Sequence, residues 1–276
     1  MVQIQSARKP KSGFATAIAM LDLIYHSVVR NVRKQNSNAF LALAVNMLQV
    51  FTFVGLFYIM FTILGLRGAA IRGDFLLYIM SGIFLFMTHT KSMKAVVSSE
   101  GPASSMMLHA PMNTIIAICS AAAGTLYIQL LSLFVVLYGY HVIITPIEID
   151  QPFAAFAMLL LAWFTGVTLG LILLALKPWF PTFVDVATTV YMRANMIASG
   201  KMFVANSLPS FMLAMFDWNP LFHLIDQARG FAFINYYPRN SSWEYAAYAG
   251  VIFLMVGLMG EFYTRKHASA SWDARR

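Results

Sequence analysis

A chain of 276 residues with 59% hydrophobic and only 11% charged side chains, at a mean hydropathy of +0.68, cannot clothe a water-soluble surface. Soluble domains carry about 25% charged residues and about 45–50% apolar ones, so lipid is the solvent for most of this chain. The single cysteine excludes an internal disulfide framework and any multi-cysteine metal site, and the net charge of +8 acquires meaning only through its placement along the chain.

Residues 1–12 are polar and hold Arg8, Lys9 and Lys11. In 13–35 the large residues Phe14, Ile18, Leu21, Tyr25, Val28 and Val32 recur at steps of four and three, a narrow stripe on one helical face. Asp22, His26, Arg30, Arg33 and Lys34 lie off the stripe. This pattern predicts an amphipathic interfacial helix rather than a cleaved signal, because basic residues close it and no convincing small-residue cleavage site follows.

The first membrane span is expected over 40–64, and a loop with Arg67, Arg72 and Asp74 leads into a second over 75–97 whose last turns carry Lys91 and Lys94. Residues 98–111 form a short turn-rich loop with room for one small helix. A third span over 112–138 holds Cys119, expected as buried packing, and a loop with Pro146, Glu148, Asp150 and Pro152 precedes a fourth over 153–176. Lys177-Pro178-Trp179-Phe180-Pro181 is a sharp stop. A fifth span over 182–204 contains Asp185, Arg193, Asn195 and Lys201, and a last one over 245–263 leads to a tail with Arg265, Lys266, Arg275 and Arg276.

Assigning charge to sides decides whether 182–204 crosses. If it does, the N-terminal segment, the loop after span two, the loop after span four and the tail share thirteen Lys and Arg residues on one face. The opposite face keeps Arg67, Arg72, Arg229 and Arg239 together with Asp74, Glu148, Asp150, Asp217, Asp226 and Glu244. Lys and Arg accumulate in cytoplasmic loops. Six spans with both termini cytoplasmic satisfy that rule, whereas five would put the basic tail outside.

Residues 205–244 then lie between spans five and six yet are rich in apolar residues. Leu208, Phe211, Met212, Leu213, Met215 and Phe216 come first, then the break Asp217-Trp218-Asn219-Pro220, then the apolar stretch 221–233. Two short helices meeting at Asn-Pro read as a re-entrant hairpin dipping into the outer leaflet. Irregular backbone at that depth must be covered by protein or line a wet cavity.

Candidate chemistry is sparse. Ser199-Gly200-Lys201-Met202 approaches a phosphate-binding loop, but Met202 replaces the required Ser or Thr and Asn195 stands where the first glycine belongs. Ser199 and His223 have no spacing that joins them as nucleophile and base. The six histidines are scattered, with no i, i+4 pair to suggest a metal site. Arg193 and Lys201 stand out, since a charge near a span's centre costs roughly 2.5–3.5 kcal/mol on translocon scales. Either they line a substrate path, or Lys201 snorkels to the interface and Arg193 pairs with a neighbouring carboxylate.

Arg193, Ser199-Gly200, Leu208-Pro209, Trp218-Asn219-Pro220-Leu221-Phe222-His223 and Arg229 together resemble the C-terminal half of type-two ABC exporter permeases, in the branch that exports capsular polysaccharide and related glycans. The basic amphipathic helix, Ser81-Gly82-Ile83-Phe84 and a short loop ending His109-Ala110-Pro111 extend the likeness over nearly the whole chain. The resemblance implies one transmembrane domain over 1–276, an all-α polytopic fold of an interfacial helix, six spans and a re-entrant gate hairpin at 205–244. It implies a homodimer driven by two separate ATPase subunits that bind ATP and Mg, with no cofactor and no catalytic or metal residue in this chain.

Under the same resemblance 98–111 is the cytoplasmic coupling loop, with Glu100, Pro102, Leu108, His109 and Pro111 meeting the ATPase. Arg193, Lys201, Phe203 and Trp218 would line the substrate path, and Asn219, Pro220, His223 and Arg229 would form the gate. Met112-Asn113 departs from the hydrophobic residue and acid that many capsule permeases place after that loop. The expected substrate is a lipid-linked polysaccharide crossing the bacterial inner membrane, with periplasmic or outer-membrane export proteins as further partners and no nucleic acid. O-antigen, teichoic acid, drug and lipid permeases share the fold. Outside this class stand an ATP-independent transporter or channel and a membrane-embedded enzyme. Phe203, Phe211, Phe216, Trp218, Phe222, Tyr236 and Tyr237 read either as a sugar-stacking mouth or as an interfacial aromatic belt.

Overall fold

The computed structural model describes residues 22–29, 39–65, 71, 73–99 and 114–267. Its helices are α1 (22–29), α2 (Ala39–Ile63), α3 (Phe75–Val97), α4 (Thr114–Ile143), α5 (Pro152–Leu176), α6 (Pro181–Ala198), α7 (Ser210–Phe216), α8 (Pro220–Ala232) and α9 (Trp243–His267), with a 3₁₀ turn at Ala205–Ser207. Among the described residues there is no strand.

Local chemistry sets the boundaries. The Asp74 carboxylate accepts the Leu76 and Leu77 backbone N–H groups at 2.9 and 3.3 Å and starts α3. Pro152, Pro181 and Pro220 occupy the first turns of α5, α6 and α8, where a missing N–H costs nothing. Among the described residues, four helices are long and apolar enough to cross a membrane: Leu41–Ile63 within α2, α4, α5 and α9. α3 is diluted by Thr88, His89, Thr90, Lys91, Ser92 and Lys94, and it is well enclosed, buried along most of the stretch from Leu77 to Val97. α6 has 18 residues and stops at Gly200, whose φ of 73° turns the chain away in the left-handed region.

The centre of the bundle is a backbone-to-backbone seam. A β-carbon at Gly166 would lie 2.3 Å from the His89 carbonyl oxygen, and one at Gly170 would lie 2.7 Å from that of Met93, so α3 and α5 touch where glycines allow it. Gly250 and Gly257 bring α9 equally close to Phe164 and Leu171 of α5. His89 ties three helices together. Its Nδ1 lies 3.2 Å from the Ala162 carbonyl and 3.1 Å from the Thr165 hydroxyl on α5, and its Nε2 lies 2.9 Å from the Tyr191 hydroxyl on α6.

The two ends of the bundle differ in charge. At one end Tyr140 donates its hydroxyl to Asp74, and the strip 146–151 runs to α8, with Asp150 and Gln151 N–H groups donating to Ala232 and Phe231 carbonyls at 3.3 and 2.8 Å. That end carries Asp74, Glu148 and Asp150. At the other, Lys177 Nζ donates to the Val97 carbonyl at 3.1 Å and Trp179 Nε1 donates to the Thr264 hydroxyl at 3.0 Å, which gathers Lys94, Lys177, Arg265 and Lys266.

Helix bounds fall close to the expected spans, with α4 beginning two residues later and running five further, and α6 ending six residues short of 204. Cys119 is a correction: it is exposed on α4, because the outer face of a lipid-solvated helix accepts small apolar side chains as readily as the core does. Of the interfacial helix expected over 13–35, residues 22–29 are helical, with His26 Nε2 at 3.5 Å from Asp22 Oδ1, and the rest lies outside the described residues. Glu100, Pro102, Leu108, His109 and Pro111 also lie outside them.

Candidate functional site

The segment from the end of α6 through α8 is held by a few buried polar side chains that bond to backbone groups. Asn219 does two jobs. Its Oδ1 accepts the Leu221 N–H at 3.1 Å and caps α8, while its Nδ2 donates to Asn195 Oδ1 at 2.8 Å and to the Ala198 carbonyl at 2.9 Å, closing the last turn of α6. Pro220 follows, buried at the first position of α8. The tip where α7 meets α8 is thereby fastened to the end of α6.

Arg229 has no exposed surface. Its Nη1 donates to the Gly200 and Phe203 carbonyls at 2.8 and 2.7 Å, and its Nη2 donates to the Lys201 carbonyl at 2.7 Å. The guanidinium lies 4.2 Å from the Tyr78 ring centroid. Gly82 makes room: a β-carbon there would lie 2.8 Å from Arg229 Nη2 and 3.0 Å from the Lys201 Cα. One turn earlier, Asp226 is buried and accepts from Ala205 N–H at 3.2 Å, Tyr236 hydroxyl at 2.6 Å and Ser241 hydroxyl at 2.7 Å. Burial, and next the Asp226 carboxylate beside it, hold the Tyr236 phenol well above the usual phenol range. α8 thus bolts the backbone that follows α6 to the loop that precedes α9.

His223 belongs to the same loop system. Its Nε2 donates to the Asp217 carbonyl at 2.6 Å and its Nδ1 accepts the Ser242 N–H at 3.1 Å, the pattern of the Nε2-protonated tautomer. Its ring lies 4.7 Å from that of Tyr245. The Tyr245 hydroxyl donates to the Trp218 carbonyl at 2.8 Å, while the Trp218 indole remains exposed. Phe203 is half-buried in a ring cluster with Phe216 and Phe222, at 5.2 and 6.5 Å.

The expected residues therefore separate into groups. Asn219, Pro220, His223, Phe203 and the neighbouring Trp218 gather around the α7–α8 turn, and Arg229 sits deeper under the α6 terminus. Lys201 is 3% exposed, and its Nζ hydrogen-bonds to no described residue. It lies 3.6 Å from the Phe86 ring centroid, with Phe57 and Phe53 at 5.2 and 5.3 Å, an aromatic box from α3 and α2. Arg193 stands apart on the exposed face of α6, in one row with Asp185 and Thr189 and beside Val186 and Val190.

A second polar group was not anticipated. Asn46 of α2, buried, donates to Gln129 Oε1 at 2.7 Å and to the Ser132 hydroxyl at 2.6 Å, both on α4, and Lys91 of α3 donates to Asn46 Oδ1 and Gln49 Oε1. Asn46, Gln49, Lys91 and Gln129 edge a cavity of about 500 Å³ between α2, α3 and α4. The available signal was amides inside apolar runs: Asn46 and Gln49 three apart on one helix, and Gln129 on another, at depths where hydrocarbon gives them no partner.

No protein-family model matches the chain, and no curated protein matches it in sequence. The functional reading therefore rests on the residues and their arrangement.

Proposed function

We propose that the chain is the transmembrane permease subunit of an ATP-driven exporter that moves a lipid-linked, capsule-like polysaccharide across the bacterial inner membrane. Two copies form the conduit and two ATPase subunits supply the motor. The observation that carries the reading is the course of residues 199–242. α6 leaves the basic end at Lys177, α9 returns to it at Thr264, and α8 between them finishes beside Gln151 at the acidic end. This supports six crossings, α2 to α6 and α9, with α7–α8 as a re-entrant hairpin, and the basic end as the cytoplasmic one.

The polar supports fit a gate element. A hairpin that dips into lipid needs every backbone group satisfied from within the protein, and Asn219, Arg229 and Asp226 do that for its three junctions. The exposed row Asp185, Thr189 and Arg193 on α6 is too polar to face lipid at low cost, which supports a wet path or a second subunit against it.

The test is affinity purification of the chain from its native membrane. An ATP-hydrolysing protein with a phosphate-binding loop should co-purify, and the Glu100, Leu108, His109 triple alanine variant should lose it while still inserting. Substrate transport by the chain alone in vesicles without nucleotide would instead identify an ATP-independent transporter.

A further inference from the structure

The cavity between α2, α3 and α4 has the composition of an anion site. Its walls are Ala42, Val45, Asn46 and Gln49, then Lys91, Lys94, Ala95 and Ser98, then Thr125, Ile128 and Gln129. Two lysines enter it and no carboxylate does. Neither lysine pairs with a described acid within 4.0 Å.

The polar groups are ordered in depth. Ser98 and Lys94 stand toward the end of α3, and Lys91 stands six residues inside Val97, about 9 Å further in at the rise of a helix. Lys91 is held from behind by the oxygens of Asn46 and Gln49, which leaves part of its ammonium valence for a ligand. Gln129 is 1% exposed, and its amide oxygen is committed to Asn46. Lys91 and Lys94 supply the charge that an acceptor-rich anion in the cavity would meet, with the Ser98 hydroxyl at the same wall.

We propose that this cavity binds the phosphate of a lipid headgroup. The lipid, as opposed to a soluble anion, follows from the flank of the cavity. Val45 lines the cavity and is also exposed, in a row with Leu41 and Leu48 on the outward face of α2, the least enclosed of the apolar helices. A headgroup seated on Lys91 leaves its chains running along that row. The site shares no residue with the Arg229 and Asn219 supports and needs no export activity to be measured.

Delipidated protein in a neutral detergent is titrated with short-chain phosphatidic acid, with short-chain phosphatidylcholine and with inorganic phosphate, and binding is read by tryptophan fluorescence and thermal stabilisation. Phosphatidic acid should bind saturably and more tightly than either control. Lys94→Met, at the cavity mouth and outside the amide network, should weaken it about tenfold or more, as loss of one charge-assisted contact does. Gln129→Glu should abolish it, and Lys91→Arg should retain it. Equal affinity for inorganic phosphate overturns the lipid assignment. No saturable binding, or unchanged binding in a folded Lys94→Met variant, overturns the site. Neither result bears on whether an ATPase co-purifies.

Discussion

Replacing Arg229 by Met tests whether the deepest charge of α8 is scaffold or pathway. Met keeps the stem and removes the guanidinium, so the Gly200, Lys201 and Phe203 carbonyls lose their donors together inside a closed environment. Each buried acceptor left without a donor costs about 1–3 kcal/mol, so three carbonyls stripped together cost about 3–5 kcal/mol after the backbone relaxes. On the scale of domains of 150–250 residues, where 1 kcal/mol moves Tm by about 2–4 °C, the drop is on the order of 10 °C. Heating detergent-solubilised protein and measuring the surviving monodisperse fraction by fluorescence-detected size exclusion reads this directly. Lys at 229 should fall between, since one ammonium reaches fewer of the three carbonyls. If Arg229→Met melts like the parent chain but transport is lost, the side chain serves the path and the reasoning from burial fails.

Lys201→Met should leave melting unchanged or raised, because an unpaired ammonium among Phe53, Phe57 and Phe86 gives way to a thioether suited to ring contacts; a large loss of stability would show that the cation holds the box together. Gly166→Ala should destabilise by about 1–3 kcal/mol through overpacking against the His89 carbonyl, whereas Gly139→Ala, with open space around it, should be silent in the same melt. In a Cys119→Ala background, Arg239→Cys should react with an impermeant maleimide in intact spheroplasts and Arg265→Cys only after lysis. The reverse pattern, Arg265→Cys labelled before lysis and Arg239→Cys only after it, would leave α6 outside the count of crossings.

The long helices could be read in advance because each rule involved is local. Apolar runs of sufficient length, Asp74 before α3, and prolines at the starts of α5, α6 and α8 act within a turn or two of themselves. The Asn219-Pro220 break between two short helices was legible on the same grounds. What Arg229 does was not, since its acceptors lie 26 to 29 residues earlier and become neighbours only when α8 packs over Gly82. Lys201 read as a charge seeking water, and the rings that enclose it come from two other helices. The amide cluster is the same case at greater range, with Asn46 and Gln129 separated by 83 residues.

The glycine seam between α3 and α5 also decides where this bundle can bend. Backbones that meet at Gly166 and Gly170 have no side chains between them to change rotamer, so the pair moves only as one solid piece, with α9 attached through Gly250 and Gly257. Play is left where the packing is open. Beside that piece, α4 stands off from α5 across an apolar gap of about 400 Å³ lined by Leu133, Leu137, Phe156 and Leu159, and α2 meets α3 through rings at one end and across the polar cavity at Lys91 nearer the other. A mechanical stroke delivered at the basic end would be carried rigidly by α3, α5 and α9 and spent as shear along the α2 and α4 margins.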